Sequence, residues 1–249
     1  MRLEAEKHFP LNLQESVIVY TLINHSTGNG EPAREYQLIA VPKETSDAMV
    51  GLAVEAGFNP VSLETAPLAA LRSINHNGLL NEINHETVRI IIDCGSECTG
   101  LLITRCGDYR FHRNLNIGIN HFLETMEAAG STNRSEAHRR IYLKGSLTEK
   151  GLLAITDKLI SSIAQTFDYW FEQEGLTEND LPSAVEICGG GAFIPGLAAH
   201  LQKELHMKLI LYNPLRRLNV NFEQQNTISN REGALFTVAH GLALRGWLN

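Results

Sequence analysis

VRIIIDCGSECTGLLITRCG, residues 88–107, is the stretch on which the reading of this chain turns. Residues 88–92 form a β-branched run that ends at Asp93. Gly95 and Ser96 supply a turn, and residues 101–104 resume as a second strand before another turn at 106–108. A run this apolar, with little alternation, belongs to a strand buried on both faces. The carboxylate at its end then faces whatever occupies the mouth of the sheet. The loop 94–99 offers backbone N–H groups, Ser96 Oγ and Thr99 Oγ to an anion, and Asp93 is placed for a divalent ion or its bound water. The plainer alternative is an ordinary hairpin in which Asp93 and Ser96 satisfy turn backbone groups.

On either side, the pattern predicts a mixed α/β chain. The opening MRLEAEKHFPLNL reads as the tail of a helix that stops at Pro10, so a preceding segment is expected. Residues 16–24 and 34–41 read as hairpin strands around a turn at 26–32. A helix over 44–56 closes at Gly57. A short strand is predicted at 58–64, a helix over 66–75, and a polar linker over 75–86 that marks the main domain boundary. After the central strands comes a third at 109–114, then helices over 116–130 and 134–142. The longest periodic segment, 148–174, carries Ile155, Leu159, Ile163, Thr166, Phe167 and Trp170 at threes and fours. A strand at 184–188, a helix over 195–205 with Pro195 in its first turn, a strand at 208–212 and a buried helix over 231–247 complete the chain.

The bulk properties narrow the class. A chain of 249 residues with 43% hydrophobic residues can bury a sizeable core, and a net charge of -7 argues against a nucleic-acid surface. No run approaches a membrane span and no signal-peptide core opens the chain. The four cysteines, at 94, 98, 106 and 188, lack a paired C-x-x-C, so small buried thiols in a reducing cytoplasm fit better than zinc. The histidines fall mostly in polar stretches and no G-x-S-x-G elbow is present, which leaves a hydrolase without support.

A second constellation, CGGGA at 188–192, joins a strand to a helix. Glycines there let the backbone lie against a planar or phosphorylated ligand. No G-x-x-x-x-G-K-[ST] loop is present, so P-loop chemistry is unsupported. An acidic strand–turn–strand followed by a strand–GGG–helix resembles the actin-like ATPase superfamily. Five segments sharpen this: EAEKHFPLNLQE (4–15), AVEAGFNPVSLETAPLAALR (53–72), IIIDCGSECTGLLITRCGDYRFHRNLNIGINHF (90–122), AVEICGGGAFIPGLAAHLQKELHMKL (184–209) and FTVAHGLALRGW (236–247). In this order they resemble the PilM family of type IV pilus assembly proteins over nearly the full length.

The resemblance implies an α/β, actin-like (ribonuclease H-like) ATPase fold with a small α+β subdomain and an incomplete first lobe. Residues 1–56 would be that subdomain, 57–87 a remnant of the first lobe, and 88–249 the second lobe. It implies ATP and Mg²⁺ as ligands. Asp93 would stand near the metal, and Gly95, Ser96 and Thr99 would line a phosphate loop. Gly189, Gly190, Gly191 and Ala192, with Phe193 beside them, would flank the adenosine, and Glu136 and Arg140 would reach ribose or adenine. The implied partner is a PilN-like inner-membrane protein whose cytoplasmic tail is bound, which puts the protein in the cytoplasm, peripheral to that membrane. The family's first phosphate loop is absent from this sequence. Its loss removes charge-assisted hydrogen bonds of roughly 1.5–3 kcal/mol each. Weakened ATP binding, weak or absent hydrolysis and self-association through unpaired edges are the expected consequences. Two alternatives stay open: a scaffold that binds its partner without nucleotide, and a small-molecule kinase of the same superfamily with Asp93 as base.

Overall fold

The computed structural model describes residues 12–28, 31–77, 88–130, 133–149, 151–177, 180–182, 184–216 and 232–246. The chain divides into two compact units, Met1–Glu64 and Thr65–Asn249. The expected helix tail at 1–10 and most of the 75–86 linker lie outside the described residues, while positions 75 to 77 belong to a helix.

The first unit is built on an antiparallel hairpin, β1 (Ser16–Gly28) and β2 (Glu31–Pro42), followed by α1 (Lys43–Glu55). Both strands run further than their composition suggests, because pairing continues through Ser26 with Ala33 and Gly28 with Glu31, where a turn was expected. The strand expected at 58–64 does not form. The Phe58 and Gly57 N–H groups close the end of α1 on the Ala53 and Val54 carbonyls, and Gly57 takes φ +84°. Val61 is then left 91% exposed, with no strand beside it among the described residues.

The second unit opens with α2 (Ala66–Asn77) and is organised around a five-stranded sheet. Its strands are β3 (Val88–Cys94), β4 (Thr99–Arg105), β5 (Asp108–Leu115), β6 (Ala184–Cys188) and β7 (Lys208–Leu211), in spatial order β5-β4-β3-β6-β7. The pairs β3–β4 and β4–β5 are antiparallel, while β3–β6 and β6–β7 are parallel. Between β5 and β6 lie α3 (Ile119–Ala128), α4 (Arg134–Ile141) and α5 (Leu152–Glu174). Helix α6 (Leu197–Leu205) joins β6 to β7, and α7 (Thr237–Arg245) closes the unit.

Burial on both faces explains the unbroken apolar run. Ile90, Ile92, Leu101, Ile103, Val185 and Ile187 pack with Phe122, Leu159, Ile163 and Phe167 from α3 and α5. Ile91, Leu102 and Cys188 point the other way and are covered by Ala70 and Ile74 of α2, with Tyr212 and Ala234. Each fully buried Ile contributes about 1.5–3 kcal/mol relative to exposure. The helix expected from 195 begins only at Leu197, because Gly196 before it takes φ +93°. Pro195 therefore sits outside its first turn. The closing segment is not buried all round. It splits into a 3-10 turn, Glu232–Phe236, and α7, which buries Thr237, His240 and Gly241 while Leu242 stays exposed. Among the described residues, no helix is long and apolar enough to cross a membrane.

Candidate functional site

Asp93 stands at the end of β3, paired with Gly100 on β4 and with Cys188 on β6. It shares the face of Ile91 and is half-buried. Burial raises its carboxyl above the ordinary carboxylate range, and a hydrogen bond with the Cys188 thiol offsets part of that. The same burial, together with the neighbouring Asp93 charge, pushes the Cys94 thiol up to about 12, so this cysteine is no nucleophile.

The loop after Asp93 is held from behind. Gly95 N–H donates to the Cys98 carbonyl at 3.0 Å and closes the turn. The Gly95 and Ser96 carbonyls accept the N–H groups of Ile119 (3.1 Å) and Asn120 (2.9 Å), so the start of α3 is spent on this loop. A Cβ on Gly118 would fall on the backbone of Ser96 and Glu97, which is why that approach needs a glycine. Asn120 also donates to Glu97, and Arg134 grips Asn120 Oδ1 at 2.6 Å and Glu127 at 3.2 Å. With the carbonyls turned toward α3, the N–H groups of Ser96, Glu97 and Cys98 find no acceptor among the described residues. Successive free amides at an exposed turn are a backbone arrangement able to take an anion.

Thr99 does not join those amides at the exposed turn. Strand parity puts it on the face of Leu101 and Ile103, where its hydroxyl is buried and donates to the Ile117 carbonyl at 2.7 Å. It braces the loop from inside.

The glycine triplet meets the loop directly. Gly189 takes φ +80°, its N–H donates to the Ala234 carbonyl at 3.2 Å, and Gly190–Phe193 forms a 3-10 turn. A Cβ on Gly189 would overlap the Asp93 carboxylate and the Cys94 carbonyl, and one on Gly191 would lie 2.7 Å from Cys94 Cβ. Two of the three glycines are therefore demanded by the packing of one loop against the other. Gly190 faces Ile119, Leu235 and the Tyr142 hydroxyl instead. Ala192 packs into the helix-covered core and Phe193 against the opposite one.

Glu136 and Arg140 on α4 are otherwise engaged. The Glu136 carboxylate pairs with Arg139 at 2.5 Å, and Arg140 pairs with Glu149 at 2.9 Å. Among the described residues, neither makes a hydrogen bond to the two loops. Two residues missed in the sequence, His112 and Asn114 on β5, line the same sheet face beside Gly100 and Asp93. Alternation along DYRFHRNL would have placed them together, but their offset from Asp93 depends on register.

The model of a family described as type IV pilus assembly protein PilM matches residues 1–247. The chain belongs to the PilM family. Its structure is similar to one described as the PilM–PilN type IV pilus biogenesis complex, at 25% identity and TM-score 0.83, covering 98% of this chain and 70% of that one. It is also similar to the ethanolamine utilization protein EutJ from Carboxydothermus hydrogenoformans (17% identity, TM-score 0.55), over 81% of this chain and 61% of that chain. An archaeal actin homolog in complex with ADP matches at 12% identity and TM-score 0.55, over 86% of this chain and 62% of that chain. No curated protein matches. This PilM-family member thus has the expected α/β actin-like fold, and it spans less than two thirds of the length of the latter two structures.

Proposed function

We propose that this protein is a nucleotide-binding platform of type IV pilus assembly that engages the cytoplasmic tail of a PilN-like inner-membrane protein. Membership of the PilM family and the similarity to a PilM–PilN complex support the partner. The observation that carries the nucleotide reading is the trio of free amides at Ser96, Glu97 and Cys98, set beside Asp93 and the turn at Gly189. The amides and Ser96 Oγ would take a phosphate. Gly190, Gly191 and Ala192 would border the nucleoside. Among the described residues no group of three or more His, Cys, Asp or Glu is arranged to hold a metal. Mg²⁺ would therefore be held by Asp93, waters and the phosphates themselves, as that ion prefers. With Asp93 as the one carboxylate proposed to face the metal, and Glu97 bonded to Asn120, hydrolysis is proposed to be weak or absent. Glu136 and Arg140 would reach the ribose side only by leaving ion pairs of the kind worth about 0–1 kcal/mol at a surface.

The domain assignment proposed with this reading is 1–56 for the small subdomain, 57–87 for the first-lobe remnant and 88–249 for the second lobe. Residence in the cytoplasm at the inner membrane would follow from the partner. Calorimetric titration with ATP–Mg²⁺ tests the nucleotide claim. Absence of both heat and thermal shift at millimolar nucleotide would overturn it.

A second reading, a scaffold that binds its partner without nucleotide, is favoured by the first unit. Val17, Val19, Tyr20 and Leu22 on β1 and Leu52 and Val54 on α1 are all exposed there. Partner-peptide affinity unchanged by ATP–Mg²⁺ and by Asp93→Ala would establish it.

A further inference from the structure

We propose that His112 is a third ligand-contacting side chain of this site, donating from Nε2 to the phosphate end of a bound nucleotide through a space that Gly100 leaves open. The inference rests on the nucleotide reading above. Register places Asp93, Gly100 and Asn114 in one row across β3, β4 and β5, with His112 two residues from Asn114 on the same face. Gly100 has no side chain to fill the middle of that row. A methyl group there would sit 3.4 Å from His112 Nε2, 3.6 Å from Asn114 Oδ1 and 3.9 Å from Asp93 Cβ. Three polar side chains thus surround one vacant position, next to the loop with the free amides.

Asp93 is hydrogen-bonded to the Cys188 thiol, but the other two are not used up by the fold in the way their neighbours are. His112 is half-buried and neither it nor Asn114 has a hydrogen-bond or ion-pair partner among the described residues. Arg113, which points to the opposite face, is already bonded to Thr166 at 3.3 Å. Neither ring nitrogen of His112 is among the buried polar atoms without a partner, so the ring stays open to water or to an incoming ligand. A neutral ring can present one N–H donor, which suits an anion already held by backbone amides. Asn114 would accept from a water bound to the same phosphate. The chemistry fits the phosphate group of a nucleotide and equally a free phosphate or pyrophosphate, so the test separates them.

Full-length protein is titrated calorimetrically with ADP–Mg²⁺, pyrophosphate and adenosine. His112→Phe, His112→Gln and Gly100→Ala are compared with the unaltered chain, and the imidazole resonances are followed by NMR. His112→Phe is expected to weaken ADP–Mg²⁺ about tenfold, the size of one lost hydrogen bond to a charged group, and to leave adenosine unchanged. His112→Gln restores most of the loss, and Gly100→Ala weakens ADP–Mg²⁺ by filling the space. The His112 ring signals shift with ADP–Mg²⁺ and not with adenosine. Pyrophosphate binding as tight as ADP–Mg²⁺ overturns the nucleotide and leaves a phosphate site. His112→Phe within twofold of the unaltered protein overturns the role of His112 while nucleotide binding stands. Equal losses for ADP and adenosine reveal a structural role and also overturn it. No ADP–Mg²⁺ binding by the unaltered protein overturns both readings. Should His112→Phe not fold, the NMR shift and the Gln variant decide.

Discussion

Ser73 Oγ on α2 lies 2.9 Å from His240 Nδ1 on α7, inside a helix crossing too close for any side chain at Gly241. The same hydroxyl meets the Tyr212 hydroxyl at 3.0 Å, and Arg72 donates to the Gly241 carbonyl at 3.0 Å. A Cβ on Gly241 would land on the Ala69 carbonyl. A polar pin therefore fixes two helices that cover one face of the sheet.

His240 Nε2 is buried without a partner among the described residues, and burial and then the nearby His76 hold its pKa below the ordinary histidine value. The folded state keeps the ring neutral, so as pH falls below about 6.5 the unfolded chain takes a proton first and stability drops. His240→Asn keeps a group near Nδ1 and cannot titrate. Urea unfolding should show the unaltered protein ahead of the variant near neutral pH, with the gap narrowing toward about pH 5. An equal gap at both values contradicts a neutral buried ring.

Gly189→Ala should destabilise by roughly 2–5 kcal/mol, since strain at positive φ adds to overlap with Asp93 and Cys94. Gly190→Ala meets the end of the Ile119 side chain at 3.0 Å and makes ordinary contacts with Leu235 and the Tyr142 hydroxyl at 3.8 Å. It should cost under about 1 kcal/mol. Denaturant midpoints of the two variants check the contrast, and similar losses would refute it.

Arg89 binds both oxygens of Glu186 at 2.8 and 2.7 Å, with the two side chains 14% and 21% exposed. Removing one partner leaves a largely buried charge. Arg89→Met or Glu186→Leu alone should each cost about 3 kcal/mol, while the double variant recovers much of it. A double-mutant cycle in guanidinium measures this, and additive losses would contradict it.

Thr99→Val removes the bond to the Ile117 carbonyl inside the core and should cost about 1–2 kcal/mol. Ser96→Ala, at an exposed position, should change stability by under about 0.5 kcal/mol and act on ligand affinity instead. Paired melting curves and nucleotide titrations separate the two roles. A stability loss from Ser96→Ala as large as that from Thr99→Val would show that both brace the loop.

Much of the architecture is legible in local patterns. The run from Val88 to Ile92 can only be a strand covered on both sides, and the threes-and-fours spacing from Leu159 to Trp170 fixes α5. Strand parity alone would have assigned Thr99 to the core, since it shares a face with Leu101 and lies opposite Gly100. The failed strand at 58–64 had the right composition but no neighbour to pair with among the described residues, and pairing is a property of the sheet.

The sequence by itself determined the family, the central hairpin and the two glycine-bearing turns, because each depends on short-range sterics and periodicity. Tertiary structure decided which side chains converge. Gly189 and Gly191 proved to be spacers against Asp93 and Cys94, Glu136 and Arg140 found nearer partners, and His112 came to Gly100. Those outcomes follow from the register of β4 on β5 and from the parallel crossover that sets β6 beside β3. Register and crossover are fixed by burying both faces of the sheet at once, which no local stretch encodes.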